Sequence, residues 1–214
     1  LNISTVEDPV EYFIDGINQT QINNKVKMTF AKGLRAILRQ DPDVVMLGEV
    51  RDSETAQIAV QASLTGHLVF STLHTNTAVG AISRLRDMGI EPFLLSSSLS
   101  AVLAQRLIRT LCPECKESHT TDSKENDKLG INKASKIYRS VGCDHCNKTG
   151  YIGRAAIYEL LNIDEDVKEL IYNEASEAQI LDASSSHSTL LTQAKRMVLN
   201  GDTSLYEAIR VVSL

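Results

Sequence analysis

The sequence predicts an α/β fold: a layered core on a partly parallel sheet, then a small cysteine-bearing insert, then a mostly helical carboxyl-terminal part. Three observations predict it. Short apolar runs alternate with amphipathic stretches from residue 3 to about residue 106. Two of these runs, Val44-Val45-Met46-Leu47 and Leu68-Val69-Phe70-Ser71-Thr72, are unbroken enough for central strands covered on both faces. All four cysteines fall in a polar stretch with few core residues. The predicted boundaries are residues 1–108 for the core, 109–152 for the insert and 153–214 for the helical part.

Taken in order, Ile3-Ser4-Thr5-Val6 reads as the first strand. Residues 29–39 carry Phe30, Leu34, Ile37 and Leu38 at helical spacing. After the strand at 44–47, Asp52-Ser53 caps a helix over 53–64 with Ile58, Val60, Ala62 and Leu64. Beyond the strand at 68–72, Asn76 can cap a helix that runs to Met88 and is closed by Gly89. Residues 93–108 read as a further helix. A short strand is expected at 152–158, and helices at 165–172, 190–200 and 204–211. The chain contains no internal repeat.

At 214 residues the chain can bury one substantial core and an appendage. Its 43% hydrophobic and 23% charged residues are ordinary for a globular protein. No apolar run approaches the roughly 20 residues needed to cross a bilayer. A formal net charge of -5 lacks the clustered basic footprint of a nucleic-acid binder. The chain opens on Leu1, without Met and without a signal segment, so its beginning reads as a cut.

Cys112-Pro113-Glu114-Cys115 and Cys143-Asp144-His145-Cys146 are two C-x-x-C pairs separated by 27 residues. Each pair can turn two thiolates onto one tetrahedral ion, so a closed structural zinc site on Cys112, Cys115, Cys143 and Cys146 is expected. Four free thiols or two disulfides are the alternatives, and His119 or His145 can replace a thiolate or support one. Structural zinc contributes roughly 10 to 16 kcal/mol in small peptides, enough to supply most of the folding free energy of so polar an insert.

Three strands end in groups that can do chemistry. Glu7-Asp8 ends the first, Glu49 follows the second and His74 the third, converging at the carboxyl edge where open α/β sheets bind ligands. A carboxylate there can bind the hydrated magnesium of a nucleotide or polarise water; alone, it is more often a solvated strand-end acid than a catalyst. Arg35, Arg39, Arg84 and Arg86 lie on helices and are surface charges unless a phosphate comes within reach.

These residues sit in recognisable stretches. Residues 5–12 (TVEDPVEY), 40–52 (QDPDVVMLGEVRD) and 65–76 (TGHLVFSTLHTN) resemble the Asp box, Walker B motif and His box of secretion ATPases. With the four cysteines, the chain resembles the GspE-type motors of bacterial type II secretion, and next most the type IV pilus assembly ATPases. Gln19-Thr20-Gln21-Ile22-Asn23 and Met88-Gly89-Ile90-Glu91-Pro92-Phe93 favour the GspE branch. The resemblance implies a RecA-like P-loop ATPase core and a homo-hexamer on the cytoplasmic face of the inner membrane. It further implies peripheral association through platform proteins, with hydrolysis driving pseudopilus assembly. ATP, Mg2+ and Zn2+ are the implied cofactors, with no nucleic acid. Carried over, Glu7 would position or activate water, Glu49 would act through magnesium as the Walker B acid, and His74 would sense or contact the γ-phosphate, with either glutamate a candidate for the base. Asp8, Glu11, Arg39, Arg51 and Arg35 are the implied nucleotide-side residues.

One departure is large. No Gly is followed by Lys, so the G-x-x-x-x-G-K-[ST] phosphate loop is absent. The expectation is therefore the carboxyl-terminal part of a motor whose phosphate loop lies upstream of Leu1. As a chain by itself, the alternative is a zinc-stabilised subunit-interaction module that hydrolyses nothing.

Overall fold

A computed structural model describes residues 1–184 and 188–212. The order is β1 (Ile3–Glu7), β2 (Asn18–Gln21), α1 (Phe30–Ile37), β3 (Val44–Leu47), α2 (Ser53–Leu64), β4 (Leu68–Ser71), α3 (Ala78–Asp87) and α4 (Pro92–Ser98). Then follow β5 (Ala101–Leu111), β6 (Glu117–Thr120), α5 (Ser123–Leu129), β7 (Lys136–Arg139), β8 (Tyr151–Asn162), α6 (Glu165–Tyr172), α7 (Glu177–Ala183), α8 (Leu190–Asn200) and α9 (Leu205–Val212). The described residues form two compact units, 1–102 with 161–184, and 103–160 with 188–212. No helix among them is long and apolar enough to cross a membrane.

The first unit is built on a parallel sheet in the order β2-β1-β3-β4. Val6, Val45 and Leu47 are buried in it. α1 begins where the Thr29 side chain accepts from Lys32 N at 3.3 Å, and buries Ala31, Leu34 and Ile37. Its Gly33 lies so close to β1 that an added Cβ would stand 2.9 Å from Val6 Cγ1. Asp52 caps α2 through Thr55 N at 2.8 Å, as its sequence predicts. Thr77, one residue beyond the expected Asn76, caps α3 by accepting from Gly80 N at 3.1 Å. α6 packs on α4, and α7 on α3. Ser83 Oγ donates to Glu177 at 2.6 Å and Arg86 Nη2 reaches Glu174 at 3.1 Å.

Two expectations are corrected, and one strand carries no signal in the sequence. β4 is an edge strand of this sheet, with Leu68 and Phe70 about half exposed, although its apolar run reads as covered on both faces. The helix expected over residues 93–108 ends at Ser98, and the chain re-enters as β5. Pro92 starts α4 and a serine-rich run ends it; pairing with β8, far along the chain, then decides the state of 101–111. Finally, β2 has no apolar signal: Asn18-Gln19-Thr20-Gln21 is held by its parallel pairing to β1.

In the second unit, β5 pairs with β8 and β6 antiparallel with β7. The polar insert is less coreless than its composition implies. Leu129 of α5 and Ile137 of β7 join Ile108, Ile157, Ala194, Val198 and Ala208 in one buried cluster.

A buried carboxylate braces this unit. Glu207, fully enclosed, accepts from Arg109 Nη2 at 2.6 Å and N at 3.1 Å, and from Arg210 Nε at 2.8 Å and Nη2 at 2.7 Å. Arg109 also stacks over the Tyr151 ring at 4.1 Å. Burial pushes the Glu207 carboxyl up, but the Arg210 and Arg109 donors together win and hold it down to about 2, from 4.5. A depressed carboxylate stabilises the fold fully above its unfolded value, and loses that contribution as pH falls from about 4.5 towards 2. Glu207→Gln leaves two arginines without their anion and is expected to cost about 3 kcal/mol at pH 7. Thermal unfolding of both proteins checks this: the gap in melting temperature should be wide at pH 7 and narrow towards pH 2.5.

Candidate active site and metal centre

Parallel pairing puts the carboxyl ends of β1, β3 and β4 side by side. Val6 is in register with Leu47, and Leu47 with Ser71. The backbone stays tied beyond the strands: Gly48 N donates to Val6 O at 2.8 Å, Val50 N to Thr72 O at 3.0 Å, and Thr72 Oγ1 to Gly48 O at 2.5 Å. Glu49 is thereby fixed just past β3, its side chain 12% exposed.

The Glu49 carboxylate is held in a fork. Arg51 Nε lies 2.5 Å from Oε2 and Nη2 lies 2.6 Å from Oε1, while His74 Nε2 stands 3.2 Å from Oε2. The Arg51 guanidinium holds the Glu49 carboxyl below its ordinary value, against burial, and His74 acts in the same direction. Three of the sequence-predicted residues, on two different loops, thus meet at one carboxylate. Arg51 and His74 remain largely exposed, so this group faces outward.

Glu7 ends β1 with Oε1 accepting from Thr5 Oγ1 at 2.5 Å and Gln19 Nε2 at 3.0 Å. Asp8 and Glu11 are exposed in the loop that follows, and the charge of Asp8 is felt by Arg51. Arg35 and Arg39 lie one turn apart at the end of α1. Arg39 Nη1 donates to Arg35 O at 2.9 Å, and Arg35 pairs with Glu54 of α2 at 2.7 Å. Arg35 is thus engaged with α2 and is not drawn to Glu49. The residues that sequence reasoning missed are Thr5, Gln19 and Thr72, polar groups inside or beside strands whose significance depends on what lies opposite.

In the second unit the Cys112, Cys115, Cys143 and Cys146 sulfurs all lie within 4.8 Å of one another. Cys112–Cys143 is 3.9 Å, and Cys115–Cys146 and Cys143–Cys146 are 3.8 Å. A tetrahedron with metal–sulfur bonds of about 2.3 Å has edges of about 3.8 Å, whereas a disulfide needs about 2.05 Å. The donor set therefore fits zinc and not a pair of bridges. Gly142 N points at Cys115 Sγ (3.3 Å), and Cys143 N and Gly150 N at Cys146 Sγ (3.2 and 3.1 Å), stabilising thiolates. Those amides, Cys143 first, bring the Cys146 thiol down to about 6, whereas burial pushes Cys115 up to about 12. Gathering four thiolates here thus calls for a cation. His119 is engaged elsewhere, with Nε2 3.0 Å from Glu125 Oε1, and His145 is exposed.

Residues 1–210 match the family described as "Type II/IV secretion system protein". The chain is 62% identical over 218 residues to the type II secretion system ATPase E of Vibrio cholerae, and 60% over 213 residues to the type II secretion system protein E of Aeromonas hydrophila. In each case 98% of this chain is covered and it spans 42% of the relative. Among solved structures it is similar to the pilus retraction motor PilT with bound ADP, at TM-score 0.71 and 29% identity, over 98% of this chain and 52% of that one. It also shares the fold of the Legionella pneumophila ATPase DotB, at TM-score 0.67 and 22% identity, over 99% of this chain and 51% of that one.

Proposed function

Since the chain belongs to the type II/IV secretion system protein family, we propose that it supplies the acid, histidine and arginine side of the catalytic site of an ATP-hydrolysing secretion motor. The observation that carries this reading is the forked Glu49, fixed beyond β3 and met by Arg51 and His74, beside Glu7 on the neighbouring strand.

Hard carboxylate oxygens and the Arg51 guanidinium at one sheet edge suit a magnesium nucleotide, whose metal neutralises phosphate charge when bound. Glu49 would hold the hydrated metal, which would supply charge neutralisation, and Arg51 would turn from Glu49 to a phosphate oxygen. His74 donates to the terminal phosphate. Glu7 orients the attacking water and accepts its proton as the new P–O bond forms and the β,γ bridge breaks. Asp8 and Glu11 extend the acidic edge and Arg35 steadies α1 through Glu54; Arg39 lies beside the amino-terminal end of the sheet, where Asn2 donates to the carbonyls of Gln40 and Asp41, and would serve a phosphate presented by a neighbouring subunit. The four cysteines would hold one zinc ion as a structural element.

In the full-length protein this chemistry would drive pseudopilus assembly for type II secretion, in a homo-hexamer held peripherally at the cytoplasmic face of the inner membrane by platform proteins. Two observations favour second readings. The similarity to PilT suits a pilus motor. The absence of any Gly-Lys step suits a zinc-stabilised interaction module that is inactive by itself.

Nucleotide turnover separates these. The chain as given is expected to show no ATP hydrolysis above background, and a version extended upstream to include a G-x-x-x-x-G-K-[ST] loop is expected to hydrolyse ATP. Turnover by the chain alone, or none by the extended version, contradicts the reading.

A further inference from the structure

The β2 strand carries a side chain whose hydrogen bonds link the acid end of β1 to the loop that follows it. Gln19 lies opposite Thr5 in the parallel register. Its Nε2 donates one hydrogen to Glu7 Oε1 at 3.0 Å and the other to Tyr12 O at 2.9 Å, and its Oε1 accepts from Ile14 N at 2.8 Å. Both donors and the carbonyl of the carboxamide are therefore used. Turning the amide over would set its oxygen against the Glu7 carboxylate and the Tyr12 carbonyl, so only one orientation is compatible with these partners. Thr5 Oγ1 adds a second donor to the same Glu7 oxygen. Among the described residues, no group donates to Glu7 Oε2.

We propose that Gln19, with Thr5, is a positioning residue for ATP hydrolysis: it anchors Oε1 of Glu7 so that Oε2 is presented to the attacking water. The proposal rests on the reading of Glu7 as the group that accepts the proton of water. A flexible glutamate at a strand end samples several rotamers, and a proton acceptor is effective only in those that reach the water. Two donors on one oxygen select the side chain's direction without consuming the other oxygen. The same carboxamide bonds backbone groups of residues 12 and 14, so the orientation of Glu7 is also tied to the loop that carries Asp8 and Glu11.

The test uses the full-length protein. Gln19→Met keeps the length and removes the donors; Thr5→Val removes the other donor and leaves the loop untouched. Each is expected to lower kcat for ATP by about tenfold to a hundredfold with KM within about twofold, since the binding of ATP does not pass through Oε1. In a Glu7→Gln background neither change should lower kcat further, because both act through Glu7. Unchanged kcat in both single variants, a rise in KM with kcat retained, or additive losses with Glu7→Gln would overturn the proposal. If Glu7→Gln itself keeps full turnover, the assignment of Glu7 falls and the positioning role falls with it. If Glu7→Gln loses turnover while Gln19→Met and Thr5→Val do not, Glu7 stands and only the positioning role is lost.

Discussion

Glu49→Gln in the full-length protein is expected to lower ATP turnover at least about a hundredfold while leaving yield and melting temperature close to those of the parent. The substitution keeps the shape of the side chain and removes its charge. What the fold loses is small, because Arg51 is 65% exposed and solvent screens its pairing with Glu49. The backbone that sets the position survives, since Gly48 and Val50 are fixed by main-chain bonds to β1 and to Thr72. The chemistry would lose the ionised oxygens proposed to hold the metal. Initial-rate measurements beside thermal unfolding distinguish the two: full turnover, or loss of soluble protein together with activity, would remove Glu49 from the catalytic site.

Cys115→Ser is expected to act in the opposite order, with metal content and stability lost first. Serine would supply a hard hydroxyl where a thiolate suits zinc, and would break one corner of a cluster whose four sulfurs lie within 4.8 Å of one another, three of their separations being 3.8 to 3.9 Å. Because site formation and folding are coupled, several of the roughly 10 to 16 kcal/mol associated with a structural site are at stake. The damage should not stay in the insert: Leu129 and Ile137 are packed in the same cluster as residues of α8 and α9. Elemental analysis of freshly purified parent protein should give one zinc per chain, and the variant much less. A strong chelator should reproduce the variant's loss of helical signal on the parent. Less than one zinc in the parent, or full stability in the variant, would refute the site.

How much of this was legible in the residues follows from where each signal is stored. The cysteine site is local in sequence, since two turns each supply two sulfurs, and its ligand set could be read from spacing alone. Glu7, Glu49 and His74 were legible because apolar runs mark β1, β3 and β4, and whatever follows such runs in a parallel sheet lies at one edge. Gln19 and Thr5 lie within recognisable stretches yet carry no role there, since a glutamine in a polar run acquires one only when β2 pairs beside β1. Residues 101–111 failed for the same reason: the run suits a helix or a strand, and β8, some fifty residues on, makes the choice. Burial of β4 was overestimated, since apolarity states what a strand requires and not what lies against it. The Glu207 network was invisible in sequence, its arginines being 98 and 3 positions away.

The packing of α7 on α3 has a consequence for how the chain is made. Glu177 reaches Ser83 across 94 positions, and Glu174 reaches Arg86 across 88. A ribosome synthesising about 5 to 20 residues per second exposes the face of α3 for several seconds before α7 emerges to cover it. Throughout that interval the intervening residues 103–160, cysteines included, are being delivered, so the first unit completes its own surface only after most of the second has already appeared.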